Sequence, residues 1–265
     1  MHSLTTHDDV LRVELFTARS RVMGYGVSMY LVRGTLVDTG FHAVRRAVAH
    51  LVDERRPAGA LVTHYHEDHA GNVELLARRG VPLDMGAETE ARLRDVKPIG
   101  FYRRYTWHAM PPLTSPRVPY APAGLAMLHL PGHSSDHHVV WDAERRTLFS
   151  GDLFLGVKVR IMHPAEDPYV LERSLRTAAA LAPERLFCAH RGPVPNPVQA
   201  LLAKADWTAE TIAAVERRIA DGSSDDAITR DVLEGESFTG WVSRGDYARR
   251  NFVKAVRRGM AVPGR

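Results

Sequence analysis

Short apolar runs broken by turn residues fill roughly the first two thirds of the chain, and helical spacing takes over after Pro197. Val10-Leu11-Arg12-Val13-Glu14-Leu15 alternates in part, and Tyr25 to Val32 is rich in β-formers. Gly34 then permits a turn into Thr35-Leu36-Val37-Asp38, so three strands are predicted here. Val44 to Arg55 suits a helix stopped by Pro57, and Ala60-Leu61-Val62-Thr63 has the look of a buried strand that ends at His64. A helix from Ala70 to Arg79, closed by Gly80, is expected next. A short strand over Leu83 to Met85 and a helix over Glu88 to Val96 follow.

The texture changes between Pro98 and Pro122, where prolines alternate with Phe101, Tyr102, Tyr105 and Trp107. This stretch reads as a long ordered loop or a broken helical excursion, a kind of segment that often carries function. Strands resume at Leu125 to Leu130, Val139 to Asp142, Thr147 to Ser150 and Leu186 to Ala189, with a helix over Pro168 to Ala182 among them. Three helices close the chain: Val198 to Ala220, one capped by Ser224 and running to Leu233, and Gly245 to Gly259. The order of elements predicts an α/β body over residues 1–197 and a C-terminal helical extension over 198–265.

Composition narrows the class. A chain of 265 residues that is 45% hydrophobic can bury a sizeable core, and 25% charged residues is ordinary for a folded protein. The net charge of +4 is carried largely by arginines near the C-terminus. It reads as a solvated surface with a weak pull on anions. Cys188 is the only cysteine, so no internal disulfide forms, and its place in an apolar run marks it as a core strand residue. Met1 to Asp9 lacks the charged-then-apolar order of a signal peptide, and no apolar run has membrane-spanning length. A soluble, cytoplasmic protein with no membrane partner is expected.

Chemistry concentrates at Thr63-His64-Tyr65-His66-Glu67-Asp68-His69-Ala70-Gly71-Asn72. Three imidazoles and two carboxylates fall within six residues, and both groups suit zinc. A turn leaving a buried strand can aim alternate side chains at one point. His64 and His66 would then face one metal, and Asp68 and His69 a second. Three further ligand-type residues each follow a short apolar run: His133 in Pro131-Gly132-His133, Asp152 in Ser150-Gly151-Asp152, and His190 in Ala189-His190-Arg191-Gly192. Groups gathered at strand ends are a recurrent site architecture.

Taken together, these residues resemble the metallo-β-lactamase superfamily: HxHxDH, a lone His, an Asp and a final His, in that order. Leu36-Val37-Asp38-Thr39-Gly40 is similar to the superfamily's first motif. The resemblance spans roughly Val10 to Pro193 and implies an α/β fold, an αβ/βα sandwich of two mixed sheets with helices outside. It implies that His64, His66 and His133 bind a first metal, that Asp68, His69 and His190 bind a second, and that Asp152 bridges them. Asp68 and Asp152 are the implied catalytic carboxylates. Asp38 would orient a ligand, and His137 stands where relatives place a supporting polar residue. Two zinc ions are implied, with iron or manganese as alternatives for the same donors.

The resemblance also limits the activity. β-Lactamases of the common class have Cys where Asp152 stands, and the oxygen-reducing di-iron relatives have Glu where His66 stands. The pattern therefore implies a hydrolase on the glyoxalase II-like or lactonase-like side, using a metal-activated hydroxide on a small ester, thioester or lactone. The alternatives are a nuclease or phosphodiesterase acting on RNA or DNA, or a non-hydrolytic iron-dependent member. Substrate contacts are expected from the excursion: Tyr105 and Trp107 as an apolar wall, with Arg103 and Arg104 for an anion. Lys158, Arg160 and His163 are expected near the same cleft.

Overall fold

Six strands form the first sheet in sequence order: β1 (His2–His7), β2 (Val10–Leu15), β3 (Val27–Val32), β4 (Thr35–Val37), β5 (Gly59–Val62) and β6 (Leu83–Met85). The computed structural model describes residues 2–22, 24–158 and 161–261. β1 to β4 pair antiparallel, and β4, β5 and β6 pair parallel. The second sheet contains β7 (Ala126–His129), β8 (His138–Asp142), β9 (Thr147–Phe149), β10 (Arg185–Cys188) and β11 (Gly192–Val194), in the order β11-β10-β9-β8-β7. Only the β9–β10 pair in this sheet is parallel.

Period-two side chains explain the layering. On one face of the first sheet, Val10, Tyr30, Val32, Val37 and Leu61 meet Leu125, Val140, Phe149 and Phe187 of the second sheet and its approach. On the other face, Val13, Leu15, Met29, Leu36, Ala60 and Val62 pack with Val48, Leu51 and Val52 of the helix Arg45–Arg55 and with Val73 and Leu76 of the helix Val73–Arg78. Both faces are buried, which is why β3, β4 and β5 read as nearly continuous apolar runs. Each fully buried large aliphatic or Phe side chain contributes about 1.5–3 kcal/mol.

By its contacts the chain divides into two units. The first comprises Met1–His129, Asp136–Asp152 and Glu184–Val194, and holds both sheets. The second comprises Leu130–Ser135, Leu153–Pro183 and Pro195–Arg265. In it the helix Pro168–Ala180 packs with the helix Pro197–Ala220, so residues well before 197 belong with the C-terminal helices. Its core joins Met162, Ile212, Val215 and Ile228 to Phe252, Val253 and Val256 of the helix Arg250–Met260. Ser224 caps the helix Asp225–Val232 by accepting from Ala227 N. Asp167 caps Pro168–Ala180 by accepting from Tyr169 N and Val170 N. Among the described residues no helix is long and apolar enough to cross a membrane.

Some elements depart from the sequence expectation. The helix expected over Ala70 to Arg79 is two pieces, Glu67–Ala70 and Val73–Arg78. A Cβ at Gly71 would stand 2.4 Å from Glu67 O and 2.7 Å from His42 N. Asn72 Nδ2 donates to Thr39 O and Phe41 O, so the break is fixed by long-range bonds. The excursion contains a helix, Phe101–Thr106, and a pinned extended stretch. Leu113 N donates to Leu93 O, and Leu83 N donates to Val118 O. The Tyr120 ring occupies the space a Cβ would need at Gly59.

Candidate metal centre

Parallel pairing aligns the ends of β4 and β5, with Val37 opposite Leu61, and the ends of β9 and β10, with Phe149 opposite Phe187. The residues after these ends are Asp38, Thr63-His64, Ser150-Gly151-Asp152 and Ala189-His190. His66, in extended conformation, begins the short helix Glu67–Ala70, so His64 and His66 precede its first turn and Asp68 and His69 lie on it. Asp38 adopts a left-handed φ of 63°, a conformation that turns the chain sharply as it leaves β4.

Two donor clusters result. Ligand-type atoms of Asp68, His69, Asp152 and His190 lie within 4.8 Å of one another. Those of His64, His66 and Asp152 do so as well, which puts Asp152 in both clusters. His69 Nε2 is 3.3 Å from Asp152 Oδ1 and 3.8 Å from Asp68 Oδ2. His190 Nε2 is 3.4 Å from Asp152 Oδ1 and 3.3 Å from Asp68 Oδ2. His64 Nε2 and His66 Nδ1 stand 3.0 Å apart.

In three of these rings the opposite nitrogen is held by the protein. His69 Nδ1 donates to Asp38 Oδ2 at 2.7 Å, and His190 Nδ1 donates to Gly26 O at 2.7 Å. Thr63 donates its hydroxyl to Asp38 Oδ1 at 2.9 Å, which leaves its oxygen to accept from His64 Nδ1 at 3.0 Å. Bonds of this kind fix the tautomer and aim the other nitrogen inward. His137 Nε2 accepts from Asp152 N at 3.1 Å and so steadies the backbone of the shared carboxylate. The buried Nε2 of His69 makes no hydrogen bond of its own among the described residues.

Imidazoles and carboxylates in the cluster set one another's charge. Burial works against a charged His69, but the carboxylates of Asp152, Asp38 and Asp68 outweigh it and raise its pKa well above the ordinary imidazole value. Burial works against His190 too, and Asp152 and Asp68 raise it likewise. Burial would raise Asp152, yet His190 and His69 hold it well below the usual carboxylate range. Asp68 is lowered in the same way, burial being outweighed by His69 and His190. Carboxylates pressed together in a buried site call for positive charge between them. An orphaned imidazole nitrogen and a set of imidazoles and carboxylates without thiolate fit a zinc-type cation, iron or manganese.

A family model described as the metallo-beta-lactamase superfamily matches residues 22–190. This chain belongs to that superfamily. A Drosophila melanogaster protein named beta-lactamase-like protein 2 homolog is 31% identical over 65% of this chain and 61% of its own length. A hydroxyacylglutathione hydrolase of Halorhodospira halophila is 33% identical over 60% of this chain and 57% of its own. The chain thus spans less than two thirds of the length of each of these two relatives. Among solved structures, a metallo-beta-lactamase family protein of Thermus thermophilus matches with a TM-score of 0.66 at 19% identity, covering 97% of this chain and 95% of its own. That likeness shows a shared metallo-β-lactamase fold, two sheets with helices, and it runs into the C-terminal helices.

The other residues expected at the site of this superfamily member have varied surroundings. His133 lies in the second unit, where it is buried with Nδ1 3.5 Å from Glu166 Oε2. Glu166 Oε1 in turn accepts from His163 N at 2.7 Å. Of the excursion residues, Tyr105 and Arg104 are exposed. Trp107 is instead buried in the core, its ring 5.0 Å from Phe41 and 6.1 Å from His190. Arg103 is buried as well: its guanidinium is committed to Glu67, so it does not stand open to an anion. Lys158 reaches Glu234 at 3.9 Å and His163 reaches Asp246 at 3.4 Å, while Arg160 lies outside the described residues.

Sequence reasoning passed over several residues that shape the site. Thr63 and Asp136 organise the turn, since Asp136 Oδ2 accepts from Tyr65 N and from Thr89 Oγ1, each at 2.9 Å. Thr63 was legible as the last residue before the histidines. Asp136 lies 71 residues from its partner, and no local signal links them.

Proposed function

We propose that this chain is a binuclear metal-dependent hydrolase acting on a small ester, thioester or lactone. The observation that supports it most is the buried carboxylate of Asp152, which stands within ligand distance of two separate groups of donors. His64, His66 and Asp152 would hold one cation, and His133 would supply the third imidazole of that set. Asp68, His69, His190 and Asp152 would hold the other. Two such cations, zinc for preference, would supply Lewis-acid charge to polarise a carbonyl and to lower the pKa of water at the site.

The chain's own residues do the rest. Asp38 holds His69, Thr63 holds His64, and His137 holds the backbone at Asp152, so the donors are set before a substrate arrives. Such preorganisation avoids reorganisation during reaction. Asp68 and Asp152 are the carboxylates nearest the reacting atoms in this reading and keep the site anionic around its cations. Tyr105 and Arg104 are the exposed excursion residues that would meet substrate. The relatives named hydroxyacylglutathione hydrolase put thioesters first among the substrates to try.

The nuclease alternative loses support from the C-terminal arginines. Arg257 pairs with Asp225 at 2.7 Å, Arg250 with Asp226 at 3.0 Å, and Arg258 donates to Pro164 O at 2.9 Å. These charges are engaged within their own unit. A panel of thioester, ester, lactone and phosphodiester substrates, run before and after dialysis against a chelator, tests the proposal. Chelator-sensitive turnover of a thioester, ester or lactone is expected. Turnover confined to phosphodiesters, or unaffected by metal removal, would overturn it.

A further inference from the structure

The turn that carries Asp68 and His69 also buries a charged pair outside both donor clusters. Glu67 lies between His66 and Asp68, and its side chain is 2% exposed. Arg103, 36 residues away on the helix Phe101–Thr106, is 7% exposed. Its Nε donates to Glu67 Oε1 at 2.7 Å, and its Nη2 donates to Glu67 Oε2. Two parallel bonds between a guanidinium and a carboxylate admit essentially one relative orientation, which a lysine cannot impose.

Burying two charges adds little net stability compared with an apolar pair of similar size. What the fork adds is direction. Asp38 secures the turn at Thr63 and His69, and Asp136 secures it at Tyr65 N. Arg103 adds a further hold, at Glu67, on the first turn of the short helix that presents Asp68. On the helix of Arg103 itself, Phe101 and Tyr105 are exposed and stack with ring centroids 6.1 Å apart. One ion pair thus connects an exposed aromatic face to the turn bearing two donors of the Asp68–His69–Asp152–His190 cluster.

We infer that Arg103 is a positioning residue: through Glu67 it fixes the turn that presents Asp68 and His69, and it sets the aromatic face of its own helix relative to that turn. The inference rests on the reading of that cluster as a cation site. Three variants separate positioning from mere stability: Arg103→Met, Arg103→Lys and the double variant Glu67→Met/Arg103→Met. Zinc affinity is measured by titration against a chromogenic chelator, alongside thermal melting and, on the best substrate found, kcat and KM.

In Arg103→Met the weaker of the two zinc sites should lose at least tenfold in affinity, the scale on which outer-shell support of a ligand acts. Its kcat should fall and its KM rise. Arg103→Lys keeps the charge without the fork and should recover only part of the affinity. The double variant should regain the melting temperature but not the zinc affinity, and it keeps the test valid if Arg103→Met does not fold. Wild-type affinity in Arg103→Met, or recovery of affinity together with stability in the double variant, would overturn the inference. Failure of the wild-type protein to bind zinc would instead overturn the underlying cation-site reading.

Discussion

The turn from Thr63 to Asn72 and the excursion from Pro98 to Pro122 both lack long regular structure, yet they are ordered in opposite ways. The turn is ordered around ionisable groups aimed at each other: His69 Nε2 converges with the Asp68 and Asp152 carboxylates, while Asp38 holds His69 and Thr63 holds His64 from behind. The excursion is ordered by attachment along its length to neighbouring structure. Glu74 accepts from Thr114 N, Thr114 Oγ1, Ser115 N and Ser115 Oγ, and Arg117 donates to Leu83 O. Removing a side chain from the turn should therefore damage chemistry. Removing one from the excursion should damage stability, except where the side chain faces solvent or, as Arg103 does, holds the turn through Glu67.

The sharpest break of that contrast is at the donors. Asp68→Ala and His133→Ala should each lower turnover on the order of 10³-fold, about 4 kcal/mol of barrier, with the fold retained by circular dichroism. Normal turnover with unchanged metal content in either variant would remove that residue from the ligand set. Trp107→Ala tests the other side. The ring packs on Phe41 and Tyr25, so its loss should cost about 3–5 kcal/mol in urea unfolding. An unfolding midpoint like that of the wild type would mean the ring serves substrate and not the core.

How much of this was legible in the sequence follows the same division. The histidine turn could be read because its donors are neighbours in sequence, and Asp152 and His190 because each follows a short apolar run. Strands with both faces buried announced themselves, as at Gly59–Val62. β1 did not, because His2 to Thr6 are all exposed and the strand is defined by pairing with β2. The burial of Arg103 and Trp107 was not legible because their partners, Glu67 and Phe41, are 36 and 66 residues away. Aromatic and basic residues in a proline-rich stretch look the same whether they face substrate or core. His133 could be placed after an apolar run, but nothing local pointed to Glu166 behind it.

Glu74 gives a smaller, pH-dependent effect. Burial disfavours its carboxylate, but hydrogen bonds from Ser115, Arg78 and Thr114 outweigh it and hold the pKa at about 2, below the ordinary 4.5. A group depressed in the folded state stabilises above its unfolded pKa. Its contribution is therefore complete above about pH 4.5 and is lost as pH falls towards 2. Glu74→Ala should cost about 2 kcal/mol at neutral pH. The gap from wild type should narrow across that acid window in parallel urea titrations. A gap independent of pH would show that the carboxylate charge does not hold Thr114 and Ser115. The smallest stability effect belongs to Tyr105→Ala, within about 0.5 kcal/mol because the ring is partly exposed. KM should nevertheless rise several-fold with kcat little changed. An unaltered KM across several substrates would place the substrate contacts elsewhere.

Asp152 is the one carboxylate expected to serve two cations. Elemental analysis of wild-type protein and Asp152→Ala, purified side by side and assayed on the same substrate, addresses this directly. About two metal ions per wild-type chain are expected, with Asp152→Ala losing at least one and nearly all hydrolysis. A fully active wild-type preparation without metal, or an Asp152→Ala protein with full metal content and normal turnover, would contradict it.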